Sequence, residues 1–201
     1  MGESGAGRAD LTVAGWSQQH HGIDPARVPL LTGWLRLVWT LARPLRRVPP
    51  LVLTVLGAAL AVGAVFVTPW SALVLILAAV LCDALDGAVA LLAERSTASG
   101  AVADKVADRI ADTAFALVIW RCGAPLWLAL GAGALSLALE GIRELRRGRA
   151  LARITVAERP TRAICAVLAC VTASWGDWAP TTCAAVWIAL GVVGIVQVVR
   201  A

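Results

Sequence analysis

Apolar residues run through this chain in long blocks, and neither strict alternation nor a single amphipathic stripe describes them. Six blocks stand out, at about 51–67, 70–92, 104–121, 125–142, 161–175 and 182–199. At 1.5 Å per residue most of them suit a hydrocarbon layer about 30 Å thick, and 51–67 and 161–175 need their flanks to reach. Ahead of them, from Gly33 to Arg47, Trp34, Leu35, Leu37, Val38, Trp39 and Leu41 interleave with Arg36, Arg43, Arg46 and Arg47. That mixture predicts a helix lying in the interface of an anionic leaflet. The expected architecture is therefore an all-α integral membrane protein, with six transmembrane helices and an N-terminal interfacial amphipathic helix. Residues 1–32 are expected to be a mobile cytosolic tail and 33–201 a single membrane domain.

Composition agrees with this reading. The 201 residues are 59% hydrophobic and 15% charged, and the mean hydropathy is +0.78, far from the usual soluble balance. The net charge of +5 rests almost wholly on arginine, with Lys105 the one lysine. These arginines occupy gaps between apolar blocks and form no soluble basic face, so nucleic acid is not an expected partner. Cys82, Cys122, Cys165, Cys170 and Cys183 contain no Cys-x-x-Cys pair and read as small hydrophobes. His20 and His21 are adjacent in sequence and make a poor metal site.

Charge also orients the chain. The connections after blocks one, three and five carry no Lys or Arg, whereas Arg43, Arg46, Arg47, Arg95, Arg143, Arg146, Arg147, Arg149, Arg153, Arg159, Arg162 and Arg200 fall on the other side. The positive-inside rule then puts both termini in the cytosol, in a multi-pass protein of the cytoplasmic membrane. Trp70, Trp120, Trp175 and Trp178 would mark the outer edge.

Against that background Asp83, Asp86, Asp104, Asp108 and Asp112 are conspicuous, because a carboxylate inside an apolar span costs a few kcal/mol unless paired or hydrated. Spacings of i,i+3 and i,i+4 put them on one face of each helix. Counting from Trp70 and Trp120 puts Asp83 with Asp108, and Asp86 with Asp104, at two levels roughly 18–20 Å and 24 Å from the outer edge. All-oxygen ligands suit a hard divalent ion, and four carboxylates can bridge two. The alternative is plain salt bridging to Lys105, Arg109 and Arg95. Lys105 and Arg109 each follow directly on an aspartate and so point about 100° away around the helix.

Written out, the region reads Asp83-x2-Asp86-Gly87-x2-Ala90-x9-Gly100-x3-Asp104-x3-Asp108. It closely resembles the signature of the CDP-alcohol phosphatidyltransferases, and the resemblance extends to the span count, the amphipathic helix and the basic stretch before the fifth span. Two positions depart. Leu91 stands where the family has arginine, with Arg95 one turn further on the same face, and Pro50-Leu51-Val52-Leu53-Thr54 resembles a Pro-Asn-x-x-Thr opening with Leu51 for asparagine.

The resemblance implies metal-dependent transfer of a phosphatidyl group from CDP-diacylglycerol to the hydroxyl of a small polyol, releasing CMP at the cytosolic face. It implies Asp83, Asp86, Asp104 and Asp108 as ligands of Mg²⁺ or Mn²⁺, two ions in all, and Asp108 as general base. Gly87, Ala90, Arg95 and Gly100 fall at nucleotide-binding positions, although close helix packing is the plain alternative for Gly87 and Gly100. Asp112 continues the same face, as a supporting group or an arginine's partner. Seven arginines lie between Glu140 and Arg162. They either retain a cytosolic loop against anionic lipid, or Arg143, Arg159 and Arg162 bind an acceptor phosphate. Glu158-Arg159-Pro160-x-Arg162 resembles members that use inositol phosphate, which favours inositol phosphate or glycerol phosphate as acceptor. A homodimer is implied as well. The rival classes are a noncatalytic relative and a small transporter with a buried proton or cation relay.

Overall fold

The computed structural model describes residues 29–93, 97–145 and 158–200, with side chains from Gly33 onward. Most of the tail expected over 1–32 lies outside the described residues, as do Arg95, Arg146, Arg147, Arg149 and Arg153. Among the described residues the chain is all-helical: α1 (Pro29–Leu45), α2 (Pro50–Ala64), α3 (Pro69–Leu92), α4 (Ala98–Arg121), α5 (Leu126–Leu145), α6 (Arg159–Thr172), a 3₁₀ turn (Ala173–Trp175) and α7 (Trp178–Arg200).

Proline sets several of the starts. Pro50, Pro69 and Pro160 occupy first-turn positions, where a missing N–H costs nothing and the fixed φ favours the helix. Between α1 and α2 the chain bends by 119°. There Val48 N–H closes on Leu45 C=O at 2.8 Å, and Pro49 is extended (φ −60°, ψ 130°). One face of α1, Val38 and Ala42, packs on Leu85, Ala88 and Val89 of α3, while Trp34, Leu37 and Leu41 stay exposed. The helix is thus docked on the bundle by one stripe and leaves a second apolar stripe uncovered.

Three helices, α3, α5 and α7, are long and apolar enough to cross a membrane, and α1 with α2 passes as a bent pair. The other expected spans differ for physical reasons. At 15 and 14 residues, α2 and α6 are only about 21–23 Å long. Helix α4 has the length, but Asp104, Lys105, Asp108, Arg109 and Asp112 charge its first two-thirds.

The core is built from small residues, which lets backbones approach. Phe115, Ile76 and Ile119 are fully buried among alanines of α2 to α7. A Cβ on Gly57 would lie 3.3 Å from both Ala79 O and Cys82 Cβ, so α2 rides directly on α3. Trp187 Nε1 of α7 donates to Ser136 Oγ of α5 at 2.8 Å, both side chains buried. At the α4–α5 turn, Gly123 has φ +121°, and a side chain there would meet Asp177 Oδ1 at 2.6 Å; only glycine satisfies both the backbone and the space. That contact brings the α4–α5 and α6–α7 connections together at the tryptophan-rich end.

Candidate metal centre

Helices α3 and α4 bring the carboxylates, yet they touch each other little. Each packs instead on α2 and on α6, which close the space between them from two sides. Asp83 and Asp86 are one turn apart on α3, and Asp104, Asp108 and Asp112 follow at four-residue intervals on α4. One carboxylate oxygen from each of Asp83, Asp104 and Asp108 lies within 4.8 Å of the other two. Three carboxylate oxygens that close, on half-buried residues, form the kind of set a hard divalent ion takes.

The fourth aspartate is set apart. Asp86 is buried at 6% exposure, and its Oδ2 accepts a 2.6 Å hydrogen bond from Thr54 Oγ1 on α2. It shares with Asp83 a small cleft lined also by Thr54, Gly57, Ala58, Ala79, Ala107 and Arg159.

The counter-ion comes from α6. Arg159, the first residue of that helix, contacts Asp83 and Asp108 at once. Asp108 Oδ1 is buried, and despite this ion pair it receives no hydrogen bond among the described residues. Of the helical neighbours expected to point away, Lys105 does, reaching Glu144 of α5 at 3.2 Å. Arg109 does not: it pairs loosely with Asp108 Oδ2 and Glu140 at 3.8 Å and with Asp112 at 3.9 Å.

Behind this cluster runs a second layer of charge. Arg162 of α6 is 2% exposed and bonds to Asp112 of α4, itself 1% exposed, and to Glu140 of α5 at 2.8 Å. Arg143 holds the same Glu140 oxygen at 3.1 Å and Glu158 at 2.6 Å. The three arginines expected at an acceptor phosphate are therefore all engaged with carboxylates here. Arg159 opens on the cleft, Arg143 is half-buried, and Arg162 is enclosed. Asp112 fills the partner's role expected for it.

The glycines divide. A Cβ on Gly87 would meet nothing within 4 Å among the described residues, so no described helix packs on that exposed face of α3. Gly100 belongs to the cap of α4: its N–H donates to Thr97 Oγ1 at 3.0 Å, the atom a Cβ there would strike at 2.9 Å. Ala90 is half-buried at the end of α3. Leu51 is 52% exposed on the first turn of α2, away from Asp86, whereas Thr54, one turn on, reaches it.

Thr54, Glu140 and Glu158 carry contacts that the sequence reading did not assign. Thr54 closes the Pro50–Thr54 run, and Glu140 is a carboxylate inside an apolar block, itself a mark of a buried partner. Compared with known proteins, residues 47–198 match a family model described as CDP-alcohol phosphatidyltransferase. No curated protein matches the chain.

Proposed function

The chain belongs to the CDP-alcohol phosphatidyltransferase family, and from that premise we propose that it transfers a phosphatidyl group from CDP-diacylglycerol to a small phosphorylated polyol, inositol phosphate or glycerol phosphate, releasing CMP. The observation that carries this reading is the meeting of Asp83, Asp104 and Asp108 within 4.8 Å, at the family's own motif positions, beside an arginine.

Asp83, Asp104 and Asp108, with Asp86 beside them, would hold Mg²⁺ or Mn²⁺, most simply as two ions. A divalent ion held there would supply charge neutralisation to the diphosphate and to the CMP leaving group. Asp108 takes the acceptor's hydroxyl proton on Oδ1, the buried oxygen without a hydrogen bond. The acceptor oxygen bonds to the β-phosphorus as the bond from that phosphorus to the CMP oxygen breaks, and the proton stays on Asp108. Thr54 fixes Asp86 and so keeps one wall of the cleft rigid. The open face at Gly87, with Ala90 beyond it, admits the nucleotide. Arg159 and Arg143 meet the acceptor's phosphate, and Arg162 anchors α6 so that Arg159 stays over the cleft.

In the membrane, α2, α4 and α6 complete six crossings with α3, α5 and α7, and α1 lies along the interface, where its Trp34, Leu37 and Leu41 stripe meets lipid. The site and both termini face the cytosol, as the arginine distribution supports. A homodimer follows the family pattern.

The test is CMP release from CDP-diacylglycerol by purified protein with Mg²⁺ or Mn²⁺, across inositol phosphate, glycerol phosphate, inositol and serine. Release with one phosphorylated polyol is expected, abolished by EDTA and reduced at least about a hundredfold in Asp108→Asn. Folded protein that releases no CMP with any acceptor would be a noncatalytic relative, the reading that Leu91 and Leu51 favour.

A further inference from the structure

Arg159 contacts Asp83 and Asp108, two of the three residues that bring one carboxylate oxygen each within 4.8 Å of the others. A divalent ion and this guanidinium therefore compete for the charge of the same carboxylates, Asp83 and Asp108. Two features make Arg159 the weaker holder. It donates a hydrogen bond to Asp83, but its contact to Asp108 Oδ1 matches charge without one, and four motif carboxylates face only Arg159 and, at 3.8 Å from Asp108, Arg109, a group still net negative. Two divalent ions would neutralise all four with no help from the arginine.

Arg162, three residues on, shows what a permanently held arginine looks like here. It is 2% exposed and tied to carboxylates on two helices. Arg159 is 24% exposed in its side chain, stands at the first position of α6, and borders the open cleft with Thr54, Gly57 and Asp86. Its side chain can leave the carboxylates without unwinding a turn. Nearby on the same side, Arg143 is held on Glu158, the residue just before Arg159.

We propose that Arg159 is an exchangeable counter-ion, holding the cation position between Asp83 and Asp108 until a divalent ion displaces it, whereupon the freed guanidinium binds the acceptor's phosphate. The inference rests on the transferase reading above and adds an order of events to it. Metal binding creates the phosphate-binding group, so metal and acceptor bind with positive coupling, and by linkage each favours the other equally. Before the metal arrives, the same contact spares the carboxylates their mutual repulsion.

The test uses the full chain in detergent with no lipid substrate, and reads Mn²⁺ binding from loss of the free-ion electron paramagnetic resonance signal. Arg159→Gln is expected to bind Mn²⁺ roughly tenfold more tightly than the unaltered protein. Arg159→Lys, which keeps a charge on a side chain one bond shorter, falls between, and Arg143→Gln stays near the unaltered value. With inorganic phosphate as probe, Mn²⁺ strengthens phosphate binding in the unaltered protein and does so much less in Arg159→Gln. Unchanged or weaker Mn²⁺ binding in both Arg159 variants overturns the proposal, as does equal tightening in Arg143→Gln, which reports only general charge. If no form binds Mn²⁺, the metal centre falls and the proposal with it. If all bind it equally and Asp104→Asn does not, the centre stands and the proposal alone fails.

Discussion

Thr54 Oγ1 donates to Asp86 Oδ2 at 2.6 Å in a layer where the carboxylate is 6% exposed. Removing the donor strands a buried acceptor, which costs about 1–3 kcal/mol. Thr54→Val should therefore lower the unfolding midpoint in detergent and reduce CMP release, and Thr54→Ser should restore both. Asp83, Asp104 and Asp108 were legible in the sequence because helical spacing alone gives them one face per helix. That Asp86 would turn to a hydroxyl on α2, leaving three oxygens in the tightest group, was not. The choice depends on Gly57 letting α2 approach α3 until Ala79 O and Cys82 Cβ would lie 3.3 Å from an added Cβ.

Helices α4, α5 and α6 are joined by one buried arginine. Arg162 meets Asp112 on α4 and Glu140 on α5, at 2% exposure. Breaking a buried pair by removing one partner costs about 3–5 kcal/mol, because the other charges stay behind unpaired. Arg162→Met should lose stability on that scale in detergent unfolding, and Arg162→Met combined with Asp112→Leu should recover much of it. Recovery of fold without recovery of CMP release would separate the anchoring of α6 from the chemistry. The elements themselves were readable: all six apolar blocks appear as helices. Their lengths were less so, since α2 and α6 end three residues before their apolar blocks do, at Ala64 and Thr172, and run only 15 and 14 residues. The docking of α1 through Val38 and Ala42 onto α3 was also hidden, because an interfacial helix and a docked one share the same amphipathic pattern.

Across the whole molecule, polarity runs from one end to the other. Exposed Trp70, Trp120, Trp175 and Trp178 mark the ends where α3 starts, α4 finishes and α6 passes into α7, while the carboxylates and Arg159 lie toward the opposite ends of α3, α4 and α6. In a cysteine-free background, Ser174→Cys should react with an impermeant maleimide on intact cells. Ser99→Cys, near the start of α4, should react only after permeabilisation. The reverse pattern would invert the orientation.

The sequence by itself determined that this is a helical membrane protein of its family, with carboxylates at fixed intervals along two helices. Period, transfer cost and motif spacing are properties of neighbouring residues, and they do not wait for the fold. Only the tertiary structure decided which of those carboxylates meet, and which cation meets them. Arg159 is 76 residues from Asp83. Their contact exists because α6 packs on both α3 and α4 while those two scarcely touch each other, an arrangement set by small residues and buried charge across the whole bundle rather than by any local pattern.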